Sequence, residues 1–328
     1  MNAAIIGTGA YAPETILTNH DLEQRIATSD KWIQERTGVR ARRIAAKDQA
    51  TSDIAVKAGE QALLSAGVLA SELDLIIVAT TTPDMFFPST ACLVLHKLCG
   101  GAAKHAAAFD LSAACSGFIY ALSVGEQFIV SGKYKKVLVI GADLMSRFVN
   151  WEDRTTCVLF GDGAGAVVLA PTLEDRGLLS TTIHSDGSLW DLISVPGGGV
   201  SNPASEQVLV EKLNTVKMKG SETFKAAVRT LEEVARETLA ENHLSIGDVS
   251  WVIPHQANIR IIKAVAERLE IGMDKVVINL DRYGNTSAAS IPLALHEAVS
   301  DGRIKPGALI LLLAFGSGLT WGSAMIKW

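Results

Sequence analysis

The strongest constraint on this chain is that it is written twice. LDLIIVATT (73–81) returns as VSWVIPHQA (249–257), SAAC (112–115) as SAAS (287–290), SGKYKKVLVIG (131–141) as DGRIKPGALILLL (301–313), and FGDGAGAVVL (160–169) as FGSGLTWGSAMI (315–326). The offsets are 176, 175, 170 and 155, always in the same order, so the second copy is the shorter one. One such pair is chance; four in sequence indicate duplication of a structural unit. LIIVAT (75–80), VLVIGA (137–142) and ALILLLAF (308–315) are unbroken apolar runs, the pattern of strands covered on both faces. Helical stretches alternate with them. The expected fold is therefore two similar α/β halves, residues 1–171 and 172–328, packed sheet to helix to sheet. IIGTGAYAP (5–13) begins like a dinucleotide fingerprint but lacks the third glycine and carries Pro13 where a helix would run. It and FGDGAGA (160–166) are expected to be tight turns.

With 328 residues, 48% of them hydrophobic, the chain has enough apolar surface for a large core. A net charge of −5 removes any global basic field for nucleic acid while leaving room for a local basic patch facing an acidic partner. Cys92, Cys99, Cys115 and Cys157 form neither a CxxC pair nor a cluster at zinc spacing, so no disulfide framework or structural zinc is expected. The N-terminal MNAAIIGTGAYAPE lacks a basic segment followed by a long apolar one, and ALILLLAF is too short to span a bilayer. The expectation is a soluble cytoplasmic protein without a membrane partner.

Three polar islands interrupt this apolar background. FDLSAACSGFIYAL (109–122) puts Cys115 where a strand-like run ends and helical spacing begins, a position at which unpaired N–H groups and the helix dipole favour the thiolate. WVIPHQAN (251–258) supplies His255 and YGNTSAAS (283–290) supplies Asn285. Singly, each has an ordinary explanation: an inert buried thiol, a hydrogen-bonded core histidine, a turn asparagine. Together, and with the Cys115 and Asn285 segments at equivalent places in the repeat, they suggest one pocket for nucleophilic acyl chemistry.

These segments, with TSDKWIQERTGVR, ATTTPD, FPSTAC, IPHQANIRI, GNTSAAS and FGSGLTWG, resemble the thiolase superfamily and within it the β-ketoacyl-[acyl carrier protein] synthase III family. The resemblance implies a five-layered αβαβα sandwich and a homodimer. It also implies a decarboxylative condensation of a short acyl-CoA, acetyl-CoA being the expected primer, with malonyl-[acyl carrier protein], needing no metal or redox cofactor. The relatives separate by catalytic set, and Asn285 in GNTSAAS is similar to the initiating enzymes rather than to the Cys-His-His elongating ones. On this resemblance Cys115 is the nucleophile, His255 and Asn285 the donors to the malonyl thioester, and the backbone N–H groups of Cys115 and Ser317 the oxyanion hole. Ser317 stands where glycine is usual. Trp32 and Arg154 resemble the pair that sandwiches the CoA adenine, with Arg36 beside its phosphates and Asn258 on the pantetheine arm, where Ser221 replaces a common Asn. Phe87 resembles the residue that caps the partner's acyl pocket. Lys225, Arg260 and Arg268 resemble the carrier-docking patch, which Glu267 weakens. The alternatives are a same-fold enzyme of secondary metabolism with another primer or acceptor, and a non-catalytic partner subunit.

Overall fold

The computed structural model describes residues 2–100 and 106–328. Its first sheet runs β1 (Asn2–Tyr11), β7 (Asp162–Thr172), β6 (Val137–Leu144), β4 (Leu75–Ala79), β5 (Ala107–Leu111), with β4 parallel to both β5 and β6. The second runs β8 (Gly177–Ser185), β13 (Thr320–Lys327), β12 (Leu309–Gly316), β11 (Trp251–Pro254), and Val252 makes a parallel bridge to Val276 at the position β5 holds in the first. Two small hairpins complete the strands: β2 (Thr15–Thr18) with β3 (Ala41–Ile44), and β9 (Ile193–Ser194) with β10 (Lys217–Met218).

Side-chain parity builds the layers. Successive strand residues point to opposite faces, so Leu75, Ile77 and Ala79 join one apolar cluster while Ile76 and Val78 join another. In β12, Ile310, Leu312 and Ala314 face the same central cluster, and Leu311 and Leu313 face a third. The central layer holds the helices Gly117–Val130 and Ser290–Ser300. The first has a single charged residue, Glu126, and even that is buried, as a helix covered by a sheet on each side requires. The outer helix Gly220–Glu241 is instead amphipathic: Ala227, Leu231, Val234 and Thr238 are buried, and its charged residues lie on the opposite face. The result is a five-layered αβαβα sandwich.

Two expectations are corrected here. IIGTGAYAP and FGDGAGA are not turns: Gly7 and Gly9 lie inside β1, and Gly163 and Gly165 inside β7. They bring strands against helices. A Cβ on Gly9 would lie 2.2 Å from the Ala58 carbonyl oxygen, one on Gly7 2.4 Å from that of Ala62, and one on Gly165 2.6 Å from the Leu293 nitrogen. Glycine here removes a side chain where two backbones approach. The second correction concerns register. Short 3₁₀ turns, Ala114–Ser116 and Ser287–Ala289, precede the two central helices, and each opens on a non-glycine residue with positive φ, Ala114 at 47° and Ser287 at 51°. The geometry therefore pairs Cys115 with Ala288, not with Ser290 as the match of SAAC to SAAS suggests.

Gly9→Ala should destabilise the protein by about 3 kcal/mol or more, since backbone rather than a flexible side chain meets the new methyl. Denaturant unfolding checks this, and a change below about 0.5 kcal/mol, the range of neutral surface substitutions, would show that the strand and helix are not in forced contact.

Candidate active site

A cavity of about 1010 Å³ opens between the two halves, and Cys115, His255 and Asn285 all line it. Each arrives from a strand end or a turn rather than a helix interior. Cys115 sits in the 3₁₀ turn feeding the central helix, as its flanking sequence led us to expect. His255 follows β11, with its N–H donating to the Leu313 carbonyl at 2.7 Å. Asn285 is strapped to the first half: its N–H donates to the Leu159 carbonyl at 2.8 Å, and its carbonyl accepts the Gly161 N–H at 3.0 Å.

The hydrogen bonds settle what each group offers the cavity. His255 Nδ1 lies 2.6 Å from Ser290 Oγ, and that oxygen accepts the Gln256 N–H at 3.3 Å. With the Ser290 hydroxyl donating to Nδ1, the neutral imidazole carries its proton on Nε2, toward a ligand. Burial holds the His255 pKa down at about 3, so the ring is neutral. Asn285 Oδ1 accepts the Ser287 N–H at 2.9 Å, which leaves its amide NH₂ as a donor. Two neutral donors thus accompany one sulfur.

The sulfur does not behave as its place at a helix start suggested. Burial pushes the Cys115 thiol up to about 12; a hydrogen bond from the Ser287 hydroxyl opposes the rise and the Asp143 carboxylate adds to it. Cys115 is half-buried in the cavity wall, and desolvation there outweighs the helix dipole, worth at most about 2 kcal/mol. The resting group is a thiol.

Asp143, which the sequence reasoning missed, organises this corner. It is fully buried, accepts the Thr81 N–H at 2.8 Å, the Thr82 hydroxyl at 2.9 Å and the Thr80 hydroxyl at 3.0 Å on one oxygen, and takes the Ala288 N–H at 3.1 Å on the other. Its only sequence signal is a carboxylate at the end of an apolar strand. Gln256, inside the HQAN motif, is structural: its side chain donates to Pro254 and Val277 carbonyls and accepts the N–H groups of Asn279 and Leu280.

Ser317 lies in the turn between β12 and β13, beside Cys115. A Cβ on the preceding Gly316 would stand 2.7 Å from the Cys115 nitrogen, which explains the glycine and brings the two backbone segments together. Trp32, Arg36, Asn258, Ser221, Lys225 and Arg260 also line the cavity. Arg154 does not, but its guanidinium lies 5.0 Å from the Trp32 ring centroid, with that of Arg36 at 5.9 Å. Asn258 caps the helix Ile259–Arg268 by accepting the Arg260 N–H and also donates to the Arg36 carbonyl at 3.0 Å, so much of its polar capacity is internal. Arg268 is turned away, paired with Glu232 at 2.8 Å. Phe87 is 85% exposed and lies outside this cavity.

Residues 109–187 match the model for 3-oxoacyl-[acyl-carrier-protein] synthase III, and residues 239–328 that for its C-terminal region. The chain is similar to a β-ketoacyl-[acyl-carrier-protein] synthase III of Desulfitobacterium hafniense, 51% identical, covering 100% of this chain and 98% of the relative. One of Alkalilimnicola ehrlichii is 54% identical, covering 99% of each. The crystal structure of the Aquifex aeolicus 3-oxoacyl-[acyl-carrier-protein] synthase III superposes with a TM-score of 0.91 at 51% identity, over 99% of this chain and 100% of that one.

The raised thiol pKa has a direct consequence. Only the thiolate reacts with alkylating agents, and its fraction grows with pH until the pKa is passed. Iodoacetamide labelling of Cys115, followed by peptide mass spectrometry, should accelerate about tenfold per pH unit from pH 7 to 10, where a free thiol levels off near 8.5. A plateau below pH 9 would mean that burial does not raise the thiol above an ordinary cysteine, and one below pH 7 that the thiolate is favoured at rest.

Proposed function

The chain belongs to the β-ketoacyl-[acyl-carrier-protein] synthase III family, condensing acyltransferases that initiate fatty acid biosynthesis, and on that premise we propose how its cavity runs the reaction. The observation that carries the proposal is the convergence of one thiol and two neutral donors on a single cavity. Cys115 attacks the carbonyl of a short acyl-CoA; the C–S bond to CoA breaks, and the Cys115 proton leaves with the CoA sulfur. Because the thiol starts protonated, deprotonation belongs to this step, and the field of the central helix acts on charge as it develops. The N–H groups of Cys115 and Ser317 receive the tetrahedral oxyanion.

Malonyl-[acyl carrier protein] then enters. Its carboxylate departs as carbon dioxide, and the electron pair of the broken bond passes onto the thioester as an enolate. His255 Nε2–H and Asn285 Nδ2–H donate to that oxygen, each worth about 3–4 kcal/mol of barrier if it behaves as an oxyanion donor does. The enolate carbon attacks acyl-Cys115, and the released sulfur regains a proton. Decarboxylation supplies the nucleophile, so neutral donors suffice and no carboxylate base is required. The sequence of steps uses no metal or redox cofactor.

Around this centre we assign CoA to Trp32, Arg36, Arg154 and Asn258. A purine between Trp32 and Arg154 needs about 7 Å, two van der Waals gaps of about 3.5 Å, so the Arg154 guanidinium has to swing off the indole to admit it. Lys225 and Arg260 flank the mouth as the carrier-docking cations. Arg268 joins them once it leaves Glu232. Acetyl-CoA is the primer, residues 1–171 and 172–328 form the two halves of this reading, and the enzyme works in the cytoplasm as a homodimer in which Phe87 caps its partner's cavity. Exposure of the consecutive side chains of Met85, Phe86 and Phe87, at 48%, 84% and 85%, supports a covering partner.

Intact-protein mass spectrometry with acetyl-CoA should give one acetyl adduct, discharged by malonyl-[acyl carrier protein] to acetoacetyl-carrier and lost in Cys115→Ala. His255→Ala and Asn285→Ala should retain self-acylation while condensation falls about 10²–10³-fold, and Ser290→Ala should do the same more weakly. Equal loss of both half-reactions would sink this division of labour, and an adduct only with a longer or aromatic primer would point to secondary metabolism. Analytical ultracentrifugation should find a dimer at micromolar concentration; a monomer there would remove Phe87 from the cavity.

A further inference from the structure

Between β8 and the helix Gly220–Glu241 the chain makes a long excursion, residues 186–219, and part of it returns to wall the cavity. Ile193, Ser194 and Val195 line that wall with Val216 and Met218, held together by the two-residue pairing of β9 with β10. Elsewhere the excursion is loosely covered: Trp190 is 65% exposed, Leu209 59% and Val200 98%. So short a ladder does not fix a wall by itself. The β10 side is held by the Val216 N–H, which donates to the Phe148 carbonyl at 2.8 Å, and by the Lys219 N–H on the Leu192 carbonyl at 2.9 Å; the β9 side is fastened to the turn after β12. Asp186 and Leu319 exchange backbone hydrogen bonds, both at 2.9 Å, and the Ser317 hydroxyl donates to the Ile193 carbonyl. The backbone exchange needs no particular side chain; the second fastening depends wholly on Ser317. The same residue carries the backbone N–H beside Cys115.

We propose that the Ser317 hydroxyl is a positioning group that ties the cavity wall at Ile193 to the oxyanion turn and thereby sets primer length. The proposal rests on the acyl-CoA reading above. A glycine at 317 keeps the backbone donor but loses the tether. Because Ile193 sits one side chain away from a turn that abuts the Cys115 backbone, its position governs the space next to the acyl group on the sulfur. With the tether in place the wall is held in and short primers fit; without it Ile193 and β9 relax outward and longer chains are admitted.

The test compares wild type with Ser317→Ala, Ser317→Gly and Ser317→Thr, reading kcat/KM for self-acylation by acetyl-CoA and by hexanoyl-CoA. The acetyl-to-hexanoyl ratio should fall about tenfold in the Ala and Gly variants, the discrimination that a methylene's fit in a pocket provides, and Thr, which keeps the hydroxyl, should restore it. Equal losses for both primers, or an unchanged ratio, would overturn the proposal. Hydrogen exchange of the full-length protein gives a second reading independent of turnover. Amides of Ser194 and Lys219, the latter bonded to the Leu192 carbonyl, should exchange faster in Ser317→Ala than in wild type; unchanged protection overturns the tether even if wild type accepts neither primer, whereas failure of wild type to acylate counts against the acyl-CoA assignment alone.

Discussion

A single buried carboxylate holds the catalytic corner together. Asp143 ends β6, and from there one oxygen gathers the Thr80–Thr82 turn at the end of β4 while the other takes the Ala288 N–H from the far half of the molecule. A charge removed from water is costly unless it is fully hydrogen-bonded, and these donors meet that condition only when the two halves are docked. The same contact places the turn carrying Ser287 and, two residues earlier, Asn285. Assembly of the sandwich and assembly of the site are thus one event.

The electrostatic character of the cavity follows. Desolvation suppresses charge on both central groups, lifting the thiol of Cys115 and lowering the imidazolium of His255, so the resting site is neutral. Hydrogen bonds inside the protein then decide which atoms remain: Ser290 occupies Nδ1 of His255 and the Ser287 N–H occupies Oδ1 of Asn285. Both leave N–H groups for a ligand. In a low-dielectric pocket, fixed donors act strongly on an oxygen that gains charge and weakly on one that does not. Such a site distinguishes an enolate or a tetrahedral oxyanion from the thioester that precedes it.

The duplication was readable because unbroken apolar strands, paired in order, leave few architectures besides two docked α/β units. Cys115, His255 and Asn285 were readable because small and polar residues interrupt those runs, and interruption is costly unless it serves something. What escaped was every feature that depends on approach between distant segments. Gly7, Gly9 and Gly165 looked like turn residues, since local sequence does not reveal a helix backbone crossing a strand at contact distance. Asp143 went unremarked because its partners lie across the fold. The thiol titration was misjudged for a related reason: the dipole is a local property of the helix, whereas desolvation depends on everything packed around the sulfur. Trp32 and Arg154 were legible as residue types, but the guanidinium of Arg154 resting directly on the indole was not.

The protonated state of Cys115 also bears on how long such an enzyme lasts. Peroxides and adventitious electrophiles attack thiolates, and a cysteine kept ionised at rest is exposed to them throughout its idle life. In the proposed reaction, ionisation waits for an acyl thioester whose carbonyl oxygen reaches the N–H groups of Cys115 and Ser317. The burial that makes the nucleophile sluggish in isolation therefore acts as a preservative, confining its reactivity to the moment of turnover.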